Sequence, residues 1–545
     1  MYGTLIFIVA IGFNVLRRYL TLQNKLTVVI GILSLTTLLS KSYAVAQSKP
    51  NTTKTVVGES TQQSTTNITQ RPPTPVFSGQ QVGPDAVVPV GNQEKITDIV
   101  VRYVDSDGNL TSGKTNPNVI TREFDLSPGD IYDAQLAREG LQGVLDLTIV
   151  DLASLTLEET TDNQAVMAIA IQESSGLSIG FGLTLPPPTA LQGPIKPVPV
   201  SAISDSADGF GAGAQVRWLN LRGDNQKFDL GVEAGVETFG LNLGYRNFFK
   251  HDRGIGVNFF NSRNIESEFD DGDQEVNLPD GGDPWVTRLG GGIEYFRPLG
   301  RDFQGAIGLS YQRVSLRDGA FSDGIEPLDE LGNQLTVSDD GQDDLLTLNF
   351  AAVLDKQNNP ENPTRGFKLE FGSDQYLPVG EADILANRLA ANYTQYLPVP
   401  LFGFGKGDRT LVLNLQGGTI LGDAIPYDAF VLGGSSSVRG YDPSELGTSR
   451  SFVQASVEYR YPIFDFNAFR KEFDVGGTLF FDYANDLGSD DDVIGQPAVV
   501  RERPGDGFGY GLGLRTLTPI GAVRTEFALS DEGDTEFIFT IGDRF

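Results

Sequence analysis

The 545 residues hold 41 Lys and Arg against 71 Asp and Glu, a formal charge of −30 that opposes binding of a polyanion, so nucleic acid is not an expected partner. There is no cysteine and His251 is the only histidine, which removes thiol nucleophiles, Cys/His metal sites and most His-paired serine chemistry; no enzyme activity, metal or cofactor is expected. The 64 glycines and 34 phenylalanines, with only 39% hydrophobic residues, suit a membrane β-barrel with a polar lumen better than a soluble enzyme.

At the N-terminal end, Arg17, Arg18 and Lys25 precede an apolar run from Leu26 to Leu39, and Ala44-Val45-Ala46 supplies small residues for cleavage. Residues 1–46 therefore read as a secretory signal peptide cut after Ala46. The earlier apolar stretch from Leu5 to Leu16 is either an over-extended start or an anchor, and neither run reaches the length of a membrane helix. Residues 47–91 are rich in Thr, Gln, Ser, Asn and Pro with few large apolar side chains, so they predict a disordered tether.

Residues 92–175 predict a small α/β domain. Ile99, Val101 and Tyr103 alternate as one face of a strand, and a Pro128-Gly129 turn leads to Tyr132, Leu136 and Gly140 at helical spacing. Val150, Leu152 and Leu155 to Leu157 give a second strand, and Met167, Ile169 and Ile171 a third. This order, with Phe124-Asp125-Leu126-Ser127-Pro128-Gly129-Asp130 ahead of the helix, resembles a POTRA domain, the periplasmic module of BamA-like proteins. A small sheet with a free edge can accept an extended client segment as an added strand; the alternative is a mere spacer.

From residue 177 to 545 the pattern changes to strand alternation, in about sixteen segments. Phe210, Ala212, Ala214, Val216 and Trp218 alternate with Gly209, Gly211, Gly213, Gln215 and Arg217, and Val475, Gly477, Leu479, Phe481 and Tyr483 repeat the dyad. Apolar residues on lipid and small or polar ones on the lumen predict a mainly β fold, an antiparallel transmembrane barrel with both ends in the periplasm. Connections at Asn264 to Pro284, Leu316 to Gln342, Leu421 to Thr448 and Asn485 to Gly505 then fall on the outside, as does Leu185 to Asp208. Inward turns such as Phe249 to Arg253 are short, with Asn358 to Arg365 and Pro398 to Asp408 as longer exceptions. Acidic runs at Asp339 to Asp344 and Asp490 to Asp492 read as solvated loop charge, with divalent-cation binding as the alternative.

The first strand, Leu177 to Thr184, is short, carries Gly180 and Gly182, and runs into Pro186-Pro187-Pro188; these features weaken pairing with the last strand and mark a seam there. The last strand alternates Phe537, Phe539 and Ile541 and ends at Phe545, resembling the aromatic signal by which outer-membrane barrels are recognised for assembly.

Ahead of the twelfth strand stands Gly433-Gly434-Ser435-Ser436-Ser437-Val438-Arg439-Gly440-Tyr441, which is similar to the sixth extracellular loop motif of the BamA/TamA-like outer membrane assembly superfamily. The phrase Asn362-Pro363-Thr364-Arg365-Gly366 also resembles that family's turn before a strand. The resemblance spans residues 91–545 and extends to cyanobacterial or chloroplast-lineage members. It implies that Val438, Arg439, Gly440 and Tyr441 fold into the lumen, with Arg439 meeting acids on the wall. Glu458 and Asp482 are inward by strand parity and match those places. A guanidinium between two carboxylates in a partly dry lumen forms bidentate bonds that a lysine does not reproduce.

The function implied is insertion of β-barrel proteins into the outer membrane, with its lipids, unfolded barrel clients and accessory assembly proteins as partners. Family assembly factors commonly carry several POTRA domains, and this chain has one such segment. Two-partner secretion transporters share the barrel and the motif, so a polypeptide secretion pore is the alternative.

Overall fold

A computed structural model describes residues 87–183 and 211–545, apart from 162, 175, 251, 252, 270, 271, 273, 301, 360, 361, 469, 470, 519, 520, 542 and 543. The signal peptide, most of the tether, the 185–208 connection with its prolines, and His251 lie outside the described residues.

The N-terminal domain runs β1 (Lys95–Val104), β2 (Leu110–Thr111), α1 (Pro117–Thr121), α2 (Ala134–Leu145), β3 (Val150–Thr161) and β4 (Gln164–Glu173). Its sheet order is β2-β1-β4-β3, with β1 parallel to β4. Asp133 starts α2 because its carboxylate accepts from the free amides of Gln135 and Leu136 at 2.7 and 3.0 Å. The helix buries Ala137, Leu141 and Val144 in one apolar core with Met167, Ile169 and Ile171 of β4. Gly140 belongs to that buried face because a Cβ there would lie 2.3 Å from the Phe124 ring. Tyr132, assigned to the helix by spacing, stands just before it; its hydroxyl donates to Pro89 O at 2.9 Å, and burial pushes the phenol up to about 12. β2 has no apolar alternation and was not legible in the sequence.

Among the described residues, sixteen strands then form one antiparallel sheet. They are β5 (Leu177–Leu183), β6 (Gly211–Leu219), β7 (Gln226–Gly235), β8 (Thr238–Phe248), β9 (Gly254–Ile265), β10 (Trp285–Pro298), β11 (Phe303–Arg317) and β12 (Gln342–Asp355). After these come β13 (Gly366–Leu377), β14 (Ala386–Pro398), β15 (Thr410–Gly422), β18 (Ser451–Ala468), β19 (Lys471–Asn485), β20 (Asp506–Thr518), β21 (Gly521–Ser530) and β22 (Thr535–Ile541). Each pairs with its neighbours in sequence, except that β15 pairs directly with β18. The intervening β16 (Phe430–Leu432) and β17 (Gly447–Ser449) make a separate hairpin. The parity is that of a lipid-facing barrel: on β19, Leu479 and Phe481 are exposed while Thr478, Phe480 and Asp482 are buried inside.

The long connections pack on one another over a shared apolar core that includes Phe269, Leu278, Leu335, Tyr427, Phe430 and Leu446. Arg501 fixes two of them, donating to Phe269 O at 2.7 Å and Val276 O at 3.0 Å. The acidic run before β12 is not merely solvated. Asp343 is fully buried and accepts from the amides of Val337 and Ser338 and from the Tyr427 hydroxyl, at 2.8, 2.9 and 2.6 Å. Asp344 takes a two-pronged bond from Arg313. Asp343 thus serves loop packing and Asp344 a cross-strand pair between β11 and β12, and among the described residues no group of three or more His, Cys, Asp or Glu could hold a metal ion.

At the other end, the N-terminal domain sits on the first two short turns. The Asn116 amide donates to Gly223 O at 2.8 Å, Asn220 Nδ2 to Thr115 Oγ1 at 2.7 Å, and Arg122 Nη2 to Phe248 O at 2.8 Å. Lys250 pairs with Asp125, and Leu219 packs against the domain core.

Candidate functional site

Three lumen-facing acids converge from three strands: Glu458 on β18, Asp482 on β19 and Glu526 on β21, all essentially inaccessible. The chain between β16 and β17 turns down to meet them. Gly433 and Gly440 supply the left-handed backbone this needs, with φ of +112° and +104°. A bond from the Gly434 amide to Tyr441 O at 3.0 Å closes the loop.

Arg439 is fully buried at the centre. Its Nε and Nη2 donate to the two oxygens of Asp482 at 2.7 and 3.0 Å. Nη1 donates to Glu458 Oε2 at 3.0 Å and to Glu526 Oε1 at 2.9 Å. The guanidinium carbon lies 3.4 Å from the centroid of the Phe480 ring. Every oxygen-facing edge of the fork is thus occupied, and the flat face is stacked, a geometry open to arginine alone. Buried charges on this scale require such mutual compensation, because an unpaired one would be expelled or neutralised. Further cations complete the balance: Arg460 Nε bonds Glu458 Oε1 at 2.7 Å, and Arg544 Nη1 bonds Asp482 Oδ2 at 2.9 Å.

The rest of the motif ties to the last hairpin. The Gly440 amide donates to Glu536 Oε2 on β22 at 3.1 Å, and the Tyr441 hydroxyl to Asp531 at 2.7 Å. Val438 is buried among the loop's apolar neighbours. Space for the loop comes from β20, whose inward positions 507, 509, 511 and 513 are all glycine. A Cβ at Gly509 would fall 1.8 Å from Arg439 O, and one at Gly507 would fall 2.5 Å from the Tyr441 hydroxyl.

The structure therefore brings Arg439 together with Glu458 and Asp482, and adds Glu526, Arg544 and the glycine row, which sequence reasoning had not singled out. Glu526 shares its parity with Arg524 and Ala528, so the inward face of β21 carried the signal. The Gly-Phe-Gly-Tyr-Gly-Leu-Gly alternation from Gly507 to Gly513 carried the other. Gly180 and Gly182 lie outside the cluster, on β5, opposite Gln215 and Gly213 of β6. Among the described residues no ladder joins β5 to β22, so the two strands are the ends of the sheet. Phe545 lies beyond β22, with the Arg544 guanidinium 5.1 Å from its ring centroid.

Comparison with known proteins agrees with this architecture. The chain is similar to outer envelope protein 80, chloroplastic, of Arabidopsis thaliana, with 28% identity over 83% of this chain and 57% of that protein. It is also similar to protein TOC75-3, chloroplastic, of the same plant, at 25% identity over 83% of this chain and 55% of that protein. The chain spans little more than half the length of these relatives, both of them chloroplast proteins, which fits a sequence of that lineage. Among solved structures, BamA from Haemophilus ducreyi lacking POTRA domains 1–3 shares the fold, with a TM-score of 0.55 at 16% identity, covering 81% of this chain and 83% of that one. Residues 220–545 match the Omp85 superfamily domain. A match over more than half the chain, on a sixteen-stranded barrel with the arginine loop inside it, settles the relationship: the chain belongs to the Omp85 superfamily.

Proposed function

We propose that this chain inserts β-barrel proteins into the outer membrane, capturing an extended client segment on the N-terminal, POTRA-like domain in the periplasm and templating it at the seam between β5 and β22. The observation that carries this reading is the seam itself: fifteen strand pairings run in order around the sheet, and among the described residues none links its two ends. An open strand edge is a main-chain template that accepts another strand without demanding its sequence. The arginine cluster supports an asymmetric opening, because it braces the β21–β22 side of the seam through Glu526 and Glu536. The loop core over the lumen favours lateral release over passage through the pore. No chemistry on the client is required and no cofactor enters. Partners are the membrane lipids, unfolded barrel clients and accessory assembly proteins.

The chain lacks cysteine, so one cysteine placed in each of β5 and β22 gives a clean tether. In reconstituted vesicles the oxidised protein is expected to lose client insertion and regain it on reduction; undiminished insertion would sink the seam model. Depletion of the protein should lower outer-membrane barrels generally, whereas loss of a single exported protein would point to secretion instead.

A further inference from the structure

The β14–β15 turn is longer than its neighbours at that end of the barrel, and its residues are of a different kind. It reads Val399-Pro400-Leu401-Phe402-Gly403-Phe404-Gly405-Lys406-Gly407-Asp408-Arg409, with Leu401, Phe402 and Phe404 exposed by 67%, 44% and 80%. Three large apolar side chains on a turn facing water would be unfavourable, so what they face needs an explanation.

The turn folds against the outer wall. Val457, which is exposed, and Tyr459 and Tyr461 share the outer face of β18, since Glu458 and Arg460 between them point into the lumen. Tyr459 is nonetheless only 6% exposed, because the turn covers it. Its hydroxyl accepts from the amides of Leu401 and Phe402, both at 3.1 Å. The Phe402 ring lies 4.9 Å from that of Tyr459 and 5.0 Å from that of Tyr461, and Phe404 lies 6.1 Å from Tyr461.

The turn is also built to keep this shape. β15 ends its pairing at Arg460, while β18 runs on to Ala468 with a register shift at Pro462, which leaves a length of β18 edge without its partner strand. The amides of Phe404 and Gly405 occupy that edge by donating to Pro462 O at 2.9 and 3.1 Å. Arg409 then holds the turn from within, donating to the carbonyls of Phe402, Gly407 and Gly405 at 3.1, 3.2 and 3.3 Å. Edge protection alone would be served by any residues with free amides. It does not account for two phenylalanines and a leucine that stay exposed on the outer side of the wall, continuous with the lipid-facing side chains of β18.

We propose that residues 399–409 form a lipid anchor: Leu401, Phe402 and Phe404 enter the leaflet on the N-terminal-domain side of the membrane, at the depth where aromatic rings favour the interface. Lys406, exposed beside them, reaches back to the headgroups. The anchor fixes the height of β14, β15 and β18 in the bilayer on the domain side of the arginine cluster.

The full-length chain with Phe404→Cys, labelled with an environment-sensitive fluorophore and placed in phosphatidylcholine nanodiscs, tests this with both faces open to water. Quenching by lipids carrying a nitroxide near the headgroup is expected, together with iodide quenching several-fold weaker than at a Leu331→Cys control in an exposed outer loop. Iodide quenching as strong as at the control, with no effect of the nitroxide lipid, would overturn the anchor and leave edge protection or a protein partner as the role of the turn. A Lys406→Cys probe should respond to both quenchers; if it responds only to iodide while position 404 is protected by protein contact, lipid is again not the occupant.

Discussion

Arg544 and Arg439 share one carboxylate oxygen: Asp482 Oδ2 accepts from Arg544 Nη1 at 2.9 Å and from Arg439 Nε at 2.7 Å. A residue beyond the last strand and a residue of the lumen loop are thereby held by the same acid. Arg544 also donates to the carbonyls of Ser436 and Ser437, so it grips the loop directly. The loop lock and the β22 side of the seam are one mechanical unit.

Asp482→Asn should be the most damaging isosteric change in the cluster. It removes the charge facing two buried guanidiniums, and breaking a buried pair by neutralising one partner costs about 3–5 kcal/mol. The expected outcome is a lower unfolding temperature in detergent and new protease cleavage between residues 433 and 441. Arg439→Lys should behave almost as badly as Arg439→Ala, since it keeps the charge but loses the fork that spans Asp482, Glu458 and Glu526. Rescue by lysine to full protease resistance would show that charge alone suffices.

Arg544→Ala should leave the barrel folded and loosen its closing end. The loss is that of charge-assisted bonds, about 1.5–3 kcal/mol each before relaxation. Hydrogen exchange is expected to rise in Thr535 to Ile541 and in the 433–441 loop together, and little in β10 to β12. A rise in one segment without the other would separate the two elements that Asp482 joins.

Gly509→Ala tests the glycine row. Its Cβ would collide with Arg439 O, a backbone atom that cannot swing away, so the loop must back out by more than an ångström or β20 must bend. The barrel should still form, with the loop protease-sensitive as in Asp482→Asn. Gly231→Ala, where the nearest neighbour of a Cβ is 3.8 Å away, is the matched control and should change nothing.

The barrel was legible because strand parity is local: Leu479, Phe481 and their inward neighbours declare their faces within a few residues. Parity also puts Glu458 and Asp482 on the lumen side, and both are buried against Arg439. It did not select Glu526, because β21 offers Arg524 and Glu526 on the same inward face and nothing local says which one meets the loop. Arg544 was hidden for a different reason, as its partners lie 62 and more than 100 residues away in sequence. The acidic run at Asp339 to Asp344 misled for the converse reason: composition marks a loop as polar, yet Asp343 is sequestered by amides and a tyrosine that only tertiary packing delivers. The long 398–408 turn was visible as an exception to loop asymmetry, and its direction, out against Tyr459, was not.

The seat of the N-terminal domain offers the last test. Gly223 has φ of +85°, and a Cβ there would lie 2.2 Å from Lys114 O, so the β6–β7 turn and the segment before α1 meet backbone to backbone. Gly223→Ala therefore adds left-handed strain of about 1–2 kcal/mol to a clash that only separation relieves. It should weaken the bonds from Asn116 to Gly223 and from Asn220 to Thr115 while leaving both folded units intact. Hydrogen exchange at Thr115 and Asn116 is expected to rise, with the unfolding temperature of the barrel unchanged. Lys250→Glu, which opposes Asp125 at the second turn, should add to the effect. If client insertion then falls in proportion to release of the domain, its fixed orientation over the barrel is part of the function; if the domain swings free and insertion persists, the domain acts as a tethered receptor whose angle does not matter.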